Sequence, residues 1–311
     1  MNKPVYIFSG FLDSGKTSAI KDTLYDGRFN EGEKSLIICF EKGDVEYDDK
    51  FLKYTNSVVE YMDFKDFTKE AQRKLDKKHK PERIVIEFNG MDNDENLLKN
   101  GFIENWELAQ TLATVDASTF KLFITNMKQF MYNHIKYAEV AVLNRIEGQD
   151  LRYLRNNLKG INQRLEIIFE DKDGNVTNKL NDSLFDTTKP LDISDIDYGL
   201  WYMDAIDNAL KYEGCQIEIN AYYLEKVKEY DNVAIFGRRA MVCCSNDIQP
   251  VAFTVIDKTN RNLPMMKKDK YYHLTGKIHC LDDTQGYKTC VIYLDNYAEA
   301  PELKDPLVYF N

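Results

Sequence analysis

Gly10-Phe11-Leu12-Asp13-Ser14-Gly15-Lys16-Thr17 is the stretch on which the fold of the first half of this chain turns. It fits the spacing G-x-x-x-x-G-K-[ST] at every fixed position, with an apolar strand over 5–9 leading in and a helix from Lys16 leading out. The chemistry behind that spacing is the capture of phosphate. Backbone N–H groups of such a loop and of the helix start converge on an anion. Gly15 lets the backbone come close, Lys16 reaches the β- and γ-phosphates, and Thr17 offers its hydroxyl to Mg2+. Gly10, Asp13, Ser14 and Ser18 complete the candidate phosphate-binding set. The loop alone distinguishes neither ATP from GTP nor hydrolysis from phosphoryl transfer.

Outward from the loop, short apolar runs at 35–40, 83–88, 112–116, 140–144 and 166–169 alternate with helical patterns at 16–24, 66–77 and 118–137. Strands alternating with helices over some 170 residues predict a mostly parallel α/β sheet covered on both faces. Residues 171–197 are polar and turn-rich, and 198–212 show helical spacing. After Gly214 the period changes to two, with strand runs at 216–223, 232–236, 240–244, 251–256, 271–278 and 289–294. The organisation expected is an α/β P-loop NTPase domain over 1–170, a connector with a helix over 171–211, and a small all-β domain, a barrel or OB-like, over 212–311.

Two later strands bear on the nucleotide. Arg83-Ile84-Val85-Ile86-Glu87 ends in a carboxylate that can hold Mg2+ through water, and three residues on the Gly90 N–H can face a γ-phosphate. Lys16 and Glu87 are therefore the candidate catalytic pair. The strand over 140–144 ends in Asn144-Arg145-Ile146-Glu147, one conservative step at each of two positions from Asn-Lys-x-Asp. In that pattern the carboxylate accepts two hydrogen bonds from the guanine edge. Glu147 keeps the charge but is a methylene longer, which puts guanine selectivity in question.

Together these stretches resemble the CobW-type GTPases, the P-loop metallochaperone group with the UreG and HypB relatives. The carriers are residues 9–17, the segment Phe40-Glu41-Lys42-Gly43 through Asp48, Ile86-Glu87-Phe88-Asn89-Gly90, Val115-Asp116-Ala117, the strand 138–147, and Leu154-Arg155 with Ile161-Asn162. The resemblance covers about residues 1–170. It implies that Glu41, Asp48 and Glu87, with Thr17, lie about Mg2+ and the γ-phosphate, and that Asn144, Arg145 and Glu147 lie near the base. The family's Cys-x-Cys-Cys metal motif is absent here, since 58–66 holds no cysteine, and Met91-Asp92-Asn93 replaces its Ala-Asp-Pro. Residues 212–219 and 237–250 resemble the soluble β-domain of a permease-associated membrane-protein family, which implies an association with transport.

The charge is −10, from 41 Lys and Arg against 51 Asp and Glu, so the net field repels nucleic acid and anionic membranes. No apolar run approaches the roughly 18 residues needed to span a bilayer. The start of the chain lacks a secretory h-region, so a cytoplasmic location is expected. In that setting the six cysteines read as thiols. Cys243 and Cys244 are a candidate soft-metal pair for Zn2+, with His273, His279, Cys280 and Asp247 as further donors, set against a reading as buried structural thiols. Three functions remain open. One is a slow Mg2+-dependent GTPase of the metallochaperone type, serving a metal-dependent client or a transport system. Another is a degenerate nucleotide-binding adaptor of a membrane transport component. The third is an ATP-using P-loop kinase.

Overall fold

The buried-strand runs of the first half pair side by side in parallel. The computed structural model describes residues 2–177, 185–241, 248–283, 286–303 and 306–308. Two units divide it, Met1–Leu180 and Asn181–Asn311. The first runs β1 (Lys3–Ser9), α1 (Lys16–Tyr25), β2 (Ser35–Cys39), α2 (Asp49–Tyr54), β3 (Ser57–Tyr61), α3 (Lys69–His79), β4 (Arg83–Glu87), α4 (Asp94–Asn100) and β5 (Trp106–Asp116). It continues through α5 (Phe120–Asn126), α6 (Lys128–Lys136), β6 (Val140–Asn144), α7 (Leu151–Ile161), β7 (Glu166–Glu170) and β8 (Val176–Thr177).

The strand order is β3-β2-β4-β1-β5-β6-β7-β8, and only the β7–β8 pair is antiparallel. Central strands β2 and β4 are buried at every position, as a sheet covered on both faces requires. Their alternate residues enter different cores. Leu36, Ile38, Ile84 and Ile86 pack with Trp106 and Phe67 on one face, while Ile37 and Val85 pack with Ile20, Leu24 and Phe51 on the other. Because β1 lies between β4 and β5, the chain leaves it toward opposite sides of the sheet, and the crevice beyond its carboxyl end is where an α/β sheet binds ligands.

The helical pattern expected over 118–137 is divided at Met127. Thr125 Oγ1 donates to the Lys121 carbonyl (2.7 Å) and Asn126 Nδ2 to that of Leu122 (2.9 Å), and such side-chain back-bonding favours a helix end. Strand β3 was not expected. It is an edge strand, with the burial of only one side-chain position complete, so its apolar signal is weak.

The second unit contains β9 (Leu191–Ile193), α8 (Tyr198–Asp207), β10 (Gln216–Lys226), β11 (Val233–Met241), β12 (Ile248–Ile256), β13 (Tyr271–Asp282), β14 (Lys288–Glu299) and β15 (Leu307–Val308). Five of these close into a barrel, β10-β11-β12-β14-β13 and back to β10. Only the β12–β14 pair is parallel within that ring, giving the Greek-key order of an OB-type barrel. Two runs expected as separate strands, 232–236 and 240–244, join in β11 as far as Met241, while 242–244 lie outside the described residues. The glycine between them marks a close approach, since a Cβ at Gly237 would meet the Val251 carbonyl oxygen at 2.5 Å.

The polar stretch read as a connector contributes to this unit. Strand β9 pairs in parallel with β10, and Tyr198 and Trp201 of α8 pack on Phe253. The helix expected to reach 212 stops at Asp207 because the Asp204 carboxylate gathers Asn208 Nδ2 (2.9 Å), Lys211 Nζ (2.6 Å) and the Tyr212 hydroxyl into a following 3-10 turn. No described helix is long and apolar enough to cross a membrane.

Candidate functional site

Strands β1, β4, β5 and β6 deliver Ser9, Glu87, Asp116 and Asn144 to one edge of the sheet, around the loop that precedes α1. Gly15 caps α1 with φ 102°, so the turn that aims the first N–H groups outward suits a residue without a side chain. Ser14 is buried and its hydroxyl pairs with Thr114 Oγ1 (2.7 Å). Asp13 stands exposed at the apex, and Ser18 lines the cleft beside Lys16 and Thr17.

Lys16 is only 3% exposed, and its ammonium donates to the carbonyls of Gly10 (2.9 Å) and Phe11 (2.8 Å). Glu41 Oε1 lies 2.5 Å away as an ion pair, while Glu41 Oε2 accepts from the Gly90 N–H at 3.2 Å. Gly90 rests against the phosphate loop itself. A Cβ there would meet Phe11 Cα at 2.7 Å and the Gly10 carbonyl oxygen at 2.8 Å, so only glycine fits.

Glu87 is buried and collects three donors. Thr17 Oγ1 donates to its Oε1 (2.6 Å), the Tyr47 hydroxyl to Oε2 (2.6 Å), and the Cys39 thiol to Oε2 (3.4 Å). Burial, and then the Glu87 charge, push the Cys39 thiol and the Tyr47 phenol well above their ordinary pKa values, so both stay protonated as donors. A threonine hydroxyl beside a carboxylate is a hard oxygen set of the kind Mg2+ accepts.

Asp48, grouped with the acids by sequence, is used elsewhere. Its Oδ1 caps α2 at the Phe51 N–H (2.9 Å) and its Oδ2 faces Lys21 (3.4 Å). The capping bond, offset by slight desolvation and helped by Lys21, holds its carboxyl below the usual range.

At the end of β6, Asn144 Nδ2 ties the Ser14 carbonyl (2.8 Å), and Arg145 reaches Asp116 (2.7 Å) and the Asp13 carbonyl (3.1 Å). Glu147 lies farther along the same loop, where its Oε1 accepts from the Lys172 N–H at 2.6 Å.

Tyr47, Lys172 and His134 carry parts of this site that the sequence reading did not single out. Tyr47 lies in the segment 40–48 between two acids, and that position was its signal. His134 sits in a helix where its spacing matches core residues. Its Nε2 donates to the Gly90 carbonyl (3.0 Å), and its Nδ1 faces both Ser9 Oγ (2.8 Å) and Asp94 (2.9 Å), all buried.

The soft-metal candidates Cys243 and Cys244, with Asp247, lie outside the described residues. Their suggested helpers have other partners. His273 faces Asn220 (3.0 Å), His279 faces Glu213 (2.8 Å), and the Cys280 thiol donates to the Ala209 carbonyl (3.0 Å). Among the described residues no three His, Cys, Asp or Glu side chains converge on a metal position.

Solved structures with a similar chain path include HypB from Archaeoglobus fulgidus, 18% identical over 55% of this chain and 82% of that one, with a TM-score of 0.41. Zn(II)-bound YjiA GTPase from E. coli is 16% identical over 80% and 88%, with a TM-score of 0.42. HypB from Helicobacter pylori in complex with nickel is 10% identical over 54% and 79%, with a TM-score of 0.37. No curated protein matches the chain. Residues 169–310 match the DUF1980 C-terminal domain. Residues 4–169 match the nucleotide-binding domain of CobW, HypB and UreG, and the chain belongs to that family.

Proposed function

We propose that this protein binds GTP with Mg2+, hydrolyses it slowly, and couples that cycle to metal homeostasis or transport through its C-terminal domain. The observation that carries the reading is the convergence at one cleft of Lys16 and the Thr17–Glu87 pair, with the Gly90 N–H held to Glu41 of the same cleft. Thr17 and Glu87 would hold Mg2+, Glu87 through water. The ion, when bound, would offset charge on the phosphates. Lys16 and the amides at the start of α1 orient the phosphate chain, and the Gly90 N–H is a donor for its terminal group.

Glu147 is where guanine selectivity would rest. A guanine edge presents two N–H donors beside one carbonyl, and the Glu147 carboxylate would accept the two N–H bonds once it exchanges its present partner, the Lys172 N–H. His134 is engaged through both ring nitrogens, so it positions Gly90 and does not serve as a base. The link to metal rests on the family, which has metallochaperone relatives. A client protein or a transport component would be the partner.

A second reading, a non-hydrolysing adaptor of a membrane transport component, is favoured by the thiol-free segment at β3 and the turn after it. Fluorescent GTP binding with Mg2+, competed by GTP and by ATP with Lys16→Ala as control, tests both. Displacement by GTP alone, loss in the mutant, and hydrolysis measured with and without zinc would support the first. Binding without turnover would favour the adaptor. Displacement by ATP alone would favour a kinase, and no binding would remove all three.

A further inference from the structure

Lys16 and the Gly90 N–H, the donors assigned above to the terminal phosphate, are already joined by a single carboxylate. Glu41 reaches Lys16 Nζ with one oxygen (2.5 Å) and the Gly90 N–H with the other (3.2 Å). The side chain is only 12% exposed, so this is a built contact and not a loose surface pair. Glu41 follows β2, Gly90 follows β4 and Lys16 opens α1, so the contact ties three separate segments at the point where a terminal phosphate would sit. A carboxylate oxygen pair and two phosphate oxygens call for the same donors. Being like-charged, they do not share them.

We propose that Glu41 is an internal competitor of the γ-phosphate and thereby sets the preference between nucleoside triphosphate and diphosphate. A triphosphate has to expel the carboxylate from Lys16 and Gly90, whereas a diphosphate leaves it in place. Expulsion removes the Glu41 bond between the segment 40–48 and the loop after β4, while Tyr47 stays on Glu87 and the Gly90 carbonyl keeps its bond from His134. The surface formed by that segment then differs between the two nucleotide states. This inference rests on the nucleotide reading above and assigns to Glu41 a role other than that of a magnesium ligand.

The test compares affinities of the full chain for a non-hydrolysable GTP analogue and for GDP, with Mg2+ and in EDTA. The proteins are the wild type, Glu41→Gln and Glu41→Asp. The ratio of analogue to GDP affinity is expected to rise about tenfold in Glu41→Gln, since a neutral amide competes poorly for charged and N–H donors. It is expected to rise in Glu41→Asp as well, because the shorter side chain does not span both donors. Both rises persist in EDTA. An unchanged ratio, with GDP still bound, overturns the proposal and leaves the nucleotide site standing. A fall seen only with Mg2+ also overturns it, by making Glu41 a magnesium ligand. If the wild type binds neither nucleotide, the nucleotide reading fails and this inference fails with it.

Discussion

Glu87→Gln separates a carboxylate kept for function from one kept for stability. In the wild type a buried charge is met by two hydroxyls and a thiol, while Lys16 is turned toward Gly10, Phe11 and Glu41. Bonds to an ionised acceptor contribute about 1.5–3 kcal/mol each, and the thiol less. Against them stands a desolvation cost of several kcal/mol for an ion without a countercharge. These nearly cancel. Glutamine keeps one acceptor, and the Thr17 and Tyr47 hydroxyls can accept from its amide. The net change in stability should therefore lie within about 1.5 kcal/mol of zero, or about 5 °C in Tm for a unit of this size. Metal dependence should respond differently, because Mg2+ loses an anionic partner, and its apparent affinity in the nucleotide complex should fall about 10- to 100-fold. Thermal melting of the unliganded protein and a Mg2+ titration of fluorescent GTP binding measure the two quantities. A loss of more than about 3 kcal/mol with the Mg2+ titration unchanged would refute the reasoning, showing Glu87 to be a structural hub for Tyr47, Cys39 and Thr17.

Other substitutions test separate parts. Glu147→Gln should weaken GTP about 10- to 100-fold and improve xanthosine triphosphate, whose carbonyl at position 2 can accept from the amide; competition binding measures both. Lys159 is half-buried beside Arg155, and desolvation first, then that charge, lower its pKa to about 8. Protonated Lys159 therefore costs stability below pH 8, and the cost fades as pH rises toward its unfolded value near 10.4. Lys159→Met should give its largest gain in denaturant melts at pH 7, with the pH-dependent part of that gain shrinking between pH 8 and 10. Asp257 is fully buried and accepts from Thr259 N and Oγ1, Asn262 N and Leu263 N. Asp257→Ala should cost the barrel unit about 3–5 kcal/mol in urea unfolding, more than Asp257→Asn.

Local chemistry was legible in the sequence where one segment supplies it all. Residues 10–17 carry their own turn, donors and helix start, and β2 and β4 announce themselves because a strand buried on both faces is apolar throughout. Glu87 and Gly90 followed from their place after such a strand. Asp48, grouped with the acids of the segment 40–48 by resemblance, also stands three residues before Phe51, where it satisfies a helix start. The contacts of Glu41, Tyr47 and His134 depend on which strands become neighbours, and no local pattern encodes that. Closure of the barrel is non-local in the same sense, because β10 pairs with β13 across two intervening strands. Its parallel β12–β14 pair joins strands whose sequence order gives no hint of contact.

Charge in the cleft favours the proposed binding of phosphate together with a cation. Among its lining residues Lys16 and Arg145 stand against Asp13, Glu41, Asp44 and Glu87, two positive against four negative. Arg145 is moreover spent on Asp116, and Lys16 shares its charge with Glu41. Backbone dipoles at the start of α1 attract phosphate, but they do not outweigh a surplus of fixed carboxylates close to the same oxygens. A divalent ion between Glu87 and the phosphates would change the sign of that interaction, while the proposed expulsion of Glu41 would return Lys16 to the nucleotide. The two acids therefore oppose one another. On that proposal Glu87 would gain from a bound triphosphate through the ion, and Glu41 would lose its partners to it. Nucleotide affinity should accordingly rise steeply with Mg2+ in the wild type and retain that dependence in Glu41→Gln. In Glu87→Gln the dependence should largely disappear, an ordering that a purely structural role for either carboxylate would not produce.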